Sequence, residues 1–565
     1  MSKYEKYSKD DLIKHIEALE NQLKSTKYGL YWDKSIEKEI VVENLKNKIP
    51  TLTRLSNKTI QNNDLNNLLI EGDNFHSLSS LNMINPLNGL IDIVYIDPPY
   101  NTGNNDFSYN DRFVNKDDGY RHSKWIEMMA KRLRNARDLI NDRGFIFISI
   151  DDNELYNLKL LCDQIFGEAN FVSTIVWKAN PNGRGDSIYL GTLFEWVLVY
   201  RKSDKARFVY EEQDIAQFNL IDEKGPYAEQ ILHSKLSYSA GMDYPIIAPD
   251  GSTIYAGNVT KEEWQKRKTD KSVKKAMTWR FGEATFKSEL ALGEVVFREV
   301  KGIWKVYRKR RPIIGGSAPY KNYYDAEGTR HGSNQLKDIF GSTLFDHPKP
   351  TGLIKYILGL VENRNLVVID FFAGSGTTGQ AVLELNKQDG GKRRFILCTN
   401  NENNICTDVT YPRLKTVITG IRPDGTKYSD GIPANLHYFK CDFIPNVGNA
   451  DQAKYNLVEK VNNLLCIAED VFDLVDSSAR HYVYQSNDGH KQVFMYIDYY
   501  DAKSFTEFKK KILDSNADTK VVYIFSTDNA VDELLLKEVK GVEIKPIPSK
   551  IYEIYKDIVE DIKRG

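Results

Sequence analysis

Apolar and polar positions along this chain follow two alternating rhythms. From Leu68 onward, short apolar runs predict strands and longer stripes at helical spacing predict helices. The run "NLLIEGDN" predicts a short strand entering a turn, and "LIDIVYIDPPY" predicts a second strand. "SKWIEMMAKRLRNARDLI" then places Trp125, Met128, Met129, Leu133, Ala136 and Ile140 on one stripe of an amphipathic helix. "GFIFISIDD" predicts a third strand, with Gly144 closing the preceding helix. "LYNLKLLCDQIF" predicts another helix, and "STIVWKA" and "FEWVLVYRK" predict two more strands. Strands that alternate with helices and are apolar on both faces indicate an α/β fold with a doubly wound, mostly parallel sheet.

The rhythm breaks between 205 and 340, where Tyr, Lys, Arg and Gly replace the long apolar runs, as in "EEWQKRKTDKSVKKAMTWRFG" and "GIWKVYRKRRP". It returns at "GLIKYILGLV", "NLVVIDFFAGSGTTGQAVLEL" and "KRRFILCTN". The simplest organisation is one α/β domain, in halves 61–204 and 341–440, interrupted by an inserted module at 205–340. A small C-terminal α/β domain, 441–565, carries "HKQVFMYIDYY", "TKVVYIFST" and "VEIKPI". An N-terminal region, 1–60, contains a helix over 9–26 with Leu12, Ile16, Leu19 and Leu23 on one stripe. That stripe fits a helix lying on the main body and also a short dimer-forming coil.

Composition narrows this picture only slightly. Lys and Arg number 77 against 78 Asp and Glu, a net charge of −1, so a nucleic-acid surface would have to be local. The five cysteines form no C-x-x-C pair, which favours free thiols in a reducing cytosol over disulfides or a metal site. No apolar stretch is long enough to span a bilayer, and a cytoplasmic protein is expected.

Two turns carry the chemistry. "VVIDFFAGSGTTGQAV" is a buried strand, a glycine turn and a helix start. Gly374, Gly376 and Gly379 match G-x-G-x-x-G, a pattern that also fits a dinucleotide loop or a purely structural turn. The flanks favour S-adenosylmethionine. Asp370 ends the strand, Phe371 and Phe372 precede the loop, and Thr377 opens the helix. No acid stands at the usual dinucleotide separation, and Glu402 is the first acid available to ribose hydroxyls after the next strand. Lys349, just upstream in "FDHPKPTGLIKY", is placed to pair with the methionine carboxylate.

The second turn is "IDPPYNTG". Pro98 and Pro99 cannot continue a strand and set a stiff, extended turn between Asp97 and Tyr100. The exocyclic amine of adenine is a poor nucleophile because its lone pair is delocalised into the ring. Acceptors from Asp97 and the Pro98 carbonyl would hold its two N–H groups and aim the lone pair at a methyl donor. Tyr100 offers a face for the base, which must leave the duplex to reach it.

These motifs in this order resemble the beta-class amino-methyltransferases of DNA, in which the catalytic motif precedes the cofactor loop. "YIDPPYNTG", "FISIDDNE", "LKLLCDQIFGEANF" and "NICTDVTYPRL" are most similar to the modification (Mod) subunit of type III restriction–modification systems. The resemblance covers roughly residues 28–440. It implies a Rossmann-like S-adenosylmethionine-dependent fold of permuted order and N6-adenine methylation of a short site in double-stranded DNA. It also implies a homodimer and a restriction subunit with helicase and nuclease. Asp97, Pro98, Pro99 and Tyr100 then take the catalytic positions, and Phe371, Gly374, Gly376 and Lys349 the cofactor positions. Asp73 in "IEGDN" takes the acid near the cofactor adenine. The strand "FILCTNNEN" departs from the pattern, with no acid at its end. The inserted module becomes a target-recognition domain, with Trp279, Arg308, Arg310 and Arg311 as candidate DNA contacts. Two alternatives stand beside this reading. One is a recognition subunit acting mainly to target a nuclease. The other is N4-cytosine methylation, which a Ser in place of Asp97 would favour.

Overall fold

The computed structural model describes residues 30–33, 36–62, 65–84, 89, 91–104, 106–183, 189–211, 215–234, 238–270, 277–313, 318–445, 450–497, 502–526, 539, 542–548, 551, 555–557 and 559–560, together with Ser8, Lys9, Ile13, Ile16 and Glu17. The expected N-terminal stripe falls mostly outside these residues.

A ten-stranded mixed sheet organises the larger of two compact units, residues 1–207 with 321–565. Its strands are β1 (Lys48–Arg54), β2 (Asn66–Glu71), β3 (Ile91–Ile96), β4 (Ile140–Ile150), β5 (Phe171–Trp177), β6 (Glu195–Arg201), β7 (Tyr323–Tyr324), β8 (Val367–Asp370), β9 (Arg394–Thr399) and β10 (Asn435–Pro445). They lie in the order β1-β10-β2-β9-β8-β3-β4-β6-β5-β7. The block from β10 through β2, β9, β8 and β3 to β4 is parallel throughout. β1 joins β10 antiparallel, and β6 joins both β4 and β5 antiparallel. The expected α/β class, doubly wound and mostly parallel, is what the chain adopts.

Burial explains the strands. β2 is buried at every position and β3 at all but Asp92, as suits strands covered on both faces. Helix α2 (Arg121–Leu139) buries Trp125, Met128, Met129, Leu133 and Ala136, the expected stripe. One boundary differs from the sequence reading. Gly144 lies inside β4 rather than closing α2, and Ile140 is the first residue of that strand. The β3–β4 register shifts between Ile91 and Ile93, and a Cβ at Gly144 would sit 2.7 Å from the Asp92 carbonyl. Glycine is needed there for close approach of two backbones, not for a helix end.

The same unit includes helices α1 (Asn74–Asn82), α3 (Leu155–Phe166), α4 (Thr351–Gly359), α5 (Thr377–Asp389) and α6 (Tyr411–Thr419). It also holds a five-stranded sheet with strands at Asp473–Ser477, His481–Gln485, Lys491–Tyr496, Thr519–Ser526 and Val542–Pro548. Arg54 ties this region to the main sheet by donating to the Phe472 carbonyl at 2.6 Å, and Arg394 meets Asp470 at 2.5 Å.

The second unit is Phe208–Tyr320. It ends earlier than the module boundary read from composition, because β7 and the helix Thr329–Phe340 pack into the first unit. A four-stranded antiparallel sheet (Leu220–Asp222, Gly225–Ile231, Ile303–Arg310, Val295–Val300) and two nine-residue helices enclose a core of Leu232, Tyr244, Ile246, Trp279, Phe286 and Val306.

Candidate active site

β3 and β8 are neighbours, so the proline turn and the glycine turn leave the sheet side by side at its carboxyl edge. In open α/β sheets that edge is where ligands bind. Between the turns lies a cavity of about 800 Å³, within the size range of small-molecule sites, about 300–1,000 Å³. Asp97, Pro98, Pro99 and Tyr100 line one wall; Phe371, Phe372 and Gly374 line another.

The proline turn is fixed from behind. Trp125 in α2, fully buried, donates from Nε1 to the Pro99 carbonyl at 2.7 Å. Asn101 follows at φ 57°, fully buried, and donates to the Arg121 carbonyl and to buried Glu154. The side chains of Asp97 and Tyr100 are thereby turned to the cavity.

Asp97 carries the central geometry. Lys349, 8% exposed, places Nζ 2.8 Å from the carboxylate and donates to Oδ2. Oδ1 is buried and also lies 2.8 Å from the ammonium, so Lys349 sits against both carboxylate oxygens. Glu195 at the start of β6 lies 3.6 Å from the same ammonium and accepts from the Tyr100 hydroxyl at 3.0 Å. Burial works against the Lys349 ammonium, but Asp97 and Glu195 more than offset it and hold its pKa above the ordinary lysine value. Burial, reinforced by the same two carboxylates, pushes the Tyr100 phenol well above its usual range, so it remains a neutral donor.

The glycine turn uses its side chains differently. Asp370 accepts from the Phe372 amide at 3.0 Å and from Thr378 Oγ1 at 2.6 Å, and burial pushes its carboxyl up to about 7. Beneath the turn, fully buried Arg413 donates to Gln380 at 2.7 Å, Ser375 Oγ at 3.0 Å and Thr377 Oγ1 at 2.8 Å. Burial lowers its pKa to about 10. Thr410 Oγ1 donates to the Gly374 carbonyl at 2.6 Å.

The expected site residues are placed as follows. Lys349 lines the cavity and pairs with the Asp97 carboxylate, as a buried ammonium needs a counter-charge. Asp370 accepts hydrogen bonds within the loop, Thr377 Oγ1 donates to the Lys349 carbonyl at 3.1 Å, and neither lines the cavity. Gly376 caps α5 at φ 81°, and a Cβ there would meet Thr410 at 3.1 Å, away from the cavity. Gly374, at φ 47°, does line it, and a Cβ there would meet Phe345 at 3.2 Å. Asp73 caps α1 through the Phe75 amide and lies 3.4 Å from Arg132, within the cavity lining. Glu402 is exposed at the rim, in a turn held by Asn403 and Asn404 at positive φ.

In the second unit, Trp279 is a core residue. It is 1% exposed, donates to the Tyr244 carbonyl at 2.7 Å, and is removed from the candidate DNA contacts. Arg311 is held by Asp222 at 2.8 Å and Glu294 at 3.0 Å. Arg308 donates to the neutral amide of Gln230 and lies over the Phe281 ring, and Arg310 donates to that of Gln217 and lies over the Phe218 ring.

Sequence reasoning missed three side chains. Glu195 was an acid opening an otherwise apolar strand. Arg413 stood in the "NICTDVTYPRL" segment without an assigned role. Arg132 forks onto Glu39 at 2.7 and 3.1 Å and lines the cavity beside Asp73. No cluster of three or more metal-ligating side chains occurs among the described residues, and the five cysteines are free thiols.

A family model described as DNA methylase matches residues 91–410, more than half of the chain and both turns. The chain belongs to the DNA methylase family. Among curated relatives, it is 34% identical over 379 residues to the StyLTI Mod subunit of a type III restriction–modification enzyme from Salmonella typhimurium. That match takes in 61% of this chain and 54% of the relative, so the methylase spans about half of that protein. It is 30% identical over 445 residues to the EcoPI Mod subunit of Escherichia phage P1, covering 70% of this chain and 67% of the relative. It is 32% identical over 428 residues to the type II methyltransferase M.KpnI of Klebsiella pneumoniae, covering 71% of this chain and 100% of that one. The family named by the motifs is therefore the family found. Among the described residues no helix of this methylase is long and apolar enough to cross a membrane.

Proposed function

We propose that this methylase transfers a methyl group from S-adenosylmethionine to N6 of an adenine flipped out of double-stranded DNA. It does so at a short recognition sequence, as the modification subunit of a type III restriction–modification system. The observation that carries the reading is Asp97: its carboxylate, ion-paired with Lys349 at 2.8 Å, stands beside Tyr100 in the wall of a cavity shared with the glycine turn.

The cavity fits the cofactor. Its size suits a nucleoside joined to an amino acid, its floor at Gly374 tolerates no side chain without strain, and Asp73 and Glu402 offer acceptors for adenine and ribose. When bound, S-adenosylmethionine supplies a methyl group on a positively charged sulfur. The chain's own residues act on the base. The Asp97 carboxylate and the Pro98 carbonyl accept the two N–H groups of the amine and leave its lone pair directed at the methyl donor. The proline turn, pinned by Trp125, holds both acceptors without reorganisation during the reaction. Tyr100 provides the stacking face, and its hydroxyl is fixed on Glu195.

Sequence choice is assigned to the unit at 208–320, with Arg308 and Arg310 contacting phosphates, and the enzyme acts as a homodimer. Exchanging this unit with that of a relative should move methylation to the relative's site; retention of the original site would refute the assignment. The whole of M.KpnI is matched, whereas StyLTI extends well beyond the match. That favours a second reading, in which the chain methylates without a restriction subunit. Incubating the protein with methyl-labelled S-adenosylmethionine and duplex DNA, followed by nucleoside chromatography, tests the chemistry. Label in N6-methyladenosine supports it; label in N4-methylcytosine, or none, contradicts it.

A further inference from the structure

Glu195 has no role in the reaction as proposed above, yet it occupies a costly place. It is 6% exposed, opens an apolar strand, and stands within 3.6 Å of a buried ammonium. A buried carboxylate needs compensating partners. Its partners include two groups beside the catalytic carboxylate: the Lys349 ammonium and the Tyr100 hydroxyl. Asp97, Glu195 and Lys349 therefore form a cluster of two negative charges and one positive.

The arithmetic of that cluster matters for the reaction. With Lys349 and Asp97 alone, the ammonium would neutralise the carboxylate and blunt it as an acceptor. A second carboxylate shares the ammonium and returns the cluster to net −1. As the amine nitrogen bonds the methyl carbon and the carbon–sulfur bond breaks, positive charge builds on that nitrogen beside Asp97 until one of its protons is lost to solvent. A preorganised net negative charge at that point stabilises the transition state more than the ground state. Glu195 also fixes Tyr100 by its hydroxyl at 3.0 Å, so one side chain sets the ammonium and the stacking ring together.

We infer that Glu195 is the positioning residue of the catalytic carboxylate. By sharing Lys349 with Asp97 and anchoring Tyr100, it keeps the Asp97 carboxylate an effective acceptor for the substrate amine and the site at net negative charge. The inference rests on the methyl-transfer reading and names a charge that the proline turn does not itself supply.

The test uses the full-length protein, cognate duplex DNA and labelled S-adenosylmethionine in single turnover, with calorimetric binding of S-adenosylmethionine alongside. Wild-type transfer to adenine is the first arm; its absence would defeat the functional reading itself. Glu195→Gln keeps the shape and an acceptor for Tyr100 but removes the charge. Its chemical step should slow by about 10²-fold, the scale of one preorganised electrostatic contact, with S-adenosylmethionine affinity within about threefold. Removing that negative charge from the cluster should move the acid limb of the pH–rate profile to lower pH. Glu195→Asp, which restores the charge, should recover part of the rate. A Glu195→Gln rate within threefold of wild type overturns the inference. So does an unshifted acid limb, or equal loss in Glu195→Gln and Glu195→Asp together with lost cofactor binding, since each denotes only a structural role. Tyr100→Phe, which keeps the ring, provides a second check: it should slow the chemical step several-fold, and no change would remove Tyr100 from the assignment.

Discussion

The turns after β3 and β8 stand side by side at one sheet edge but are built by opposite means. The first is stiff in its backbone, with two prolines and a Trp125 anchor, and sends its polar side chains into the cavity. The second is permissive in its backbone, with Gly374 and Gly376 at positive φ, and keeps its polar side chains underneath. Asp370 and Thr378 bond within the loop, Thr377 donates to the Lys349 carbonyl, and Arg413 braces the turn from below. One turn presents functional groups, while the other presents a contour. A residue's chemical type alone does not tell which of these tasks it serves; the direction of its hydrogen bonds does.

The largest effect expected from this contrast is at Asp97. Asp97→Ala should cut single-turnover methyl transfer by about 10²–10³-fold, the usual loss for a preorganised acceptor, while S-adenosylmethionine binding measured by calorimetry changes little. Loss of both together would erase the distinction between the turns.

The next effect separates two glycines that look alike in sequence. Gly374→Ala adds a Cβ at a left-handed φ, 3.2 Å from Phe345, inside the cavity lining. Cofactor affinity should fall by about tenfold, as about 1–2 kcal/mol of backbone strain is placed in the binding wall. Gly376→Ala carries similar strain against Thr410, outside the cavity. It should lower the melting temperature without comparable loss of affinity. Equal affinity losses would mean that Gly376 also shapes the pocket.

Asp370 gives an effect of a different kind, one of pH. Its carboxyl is pushed up from 3.8 to about 7 by burial, so the folded state holds that proton more tightly than the unfolded state. Stability from this group is therefore fully present below about pH 4 and declines as pH rises through about 7, at up to about 1.4 kcal/mol per pH unit. Asp370→Asn should flatten that part of the melting profile. A profile identical to wild type would show that the group does not titrate there.

How far the sequence carried these conclusions follows from the same contrast. Alternating apolar runs placed the parallel strands, and the stripe of α2 was legible because Trp125, Met128, Met129 and Leu133 are also its buried face. The proline turn could be read because Pro fixes φ locally, so Asp97 and Tyr100 flank it whatever surrounds them. The glycine turn was legible as a turn but not in its internal bonds. Whether Asp370, Thr377 or Gly376 meets a ligand depends on Arg413 and Thr410, more than thirty residues away along the chain. The ion pairing of Lys349 was not legible for a similar reason: its partners Asp97 and Glu195 come from distant parts of the chain. Trp279 shows the limit for the second unit, where an aromatic in a basic stretch belongs to the core.

The most direct test of the central claim is modified-base sequencing of DNA from a methylation-null host. One culture expresses the wild-type chain and the other Asp97→Ala at equal level. The account predicts N6-methyladenine at one short sequence across the wild-type culture and none above background with Asp97→Ala. Methylated adenine persisting in the variant, or modification on cytosine in the wild type, would contradict it.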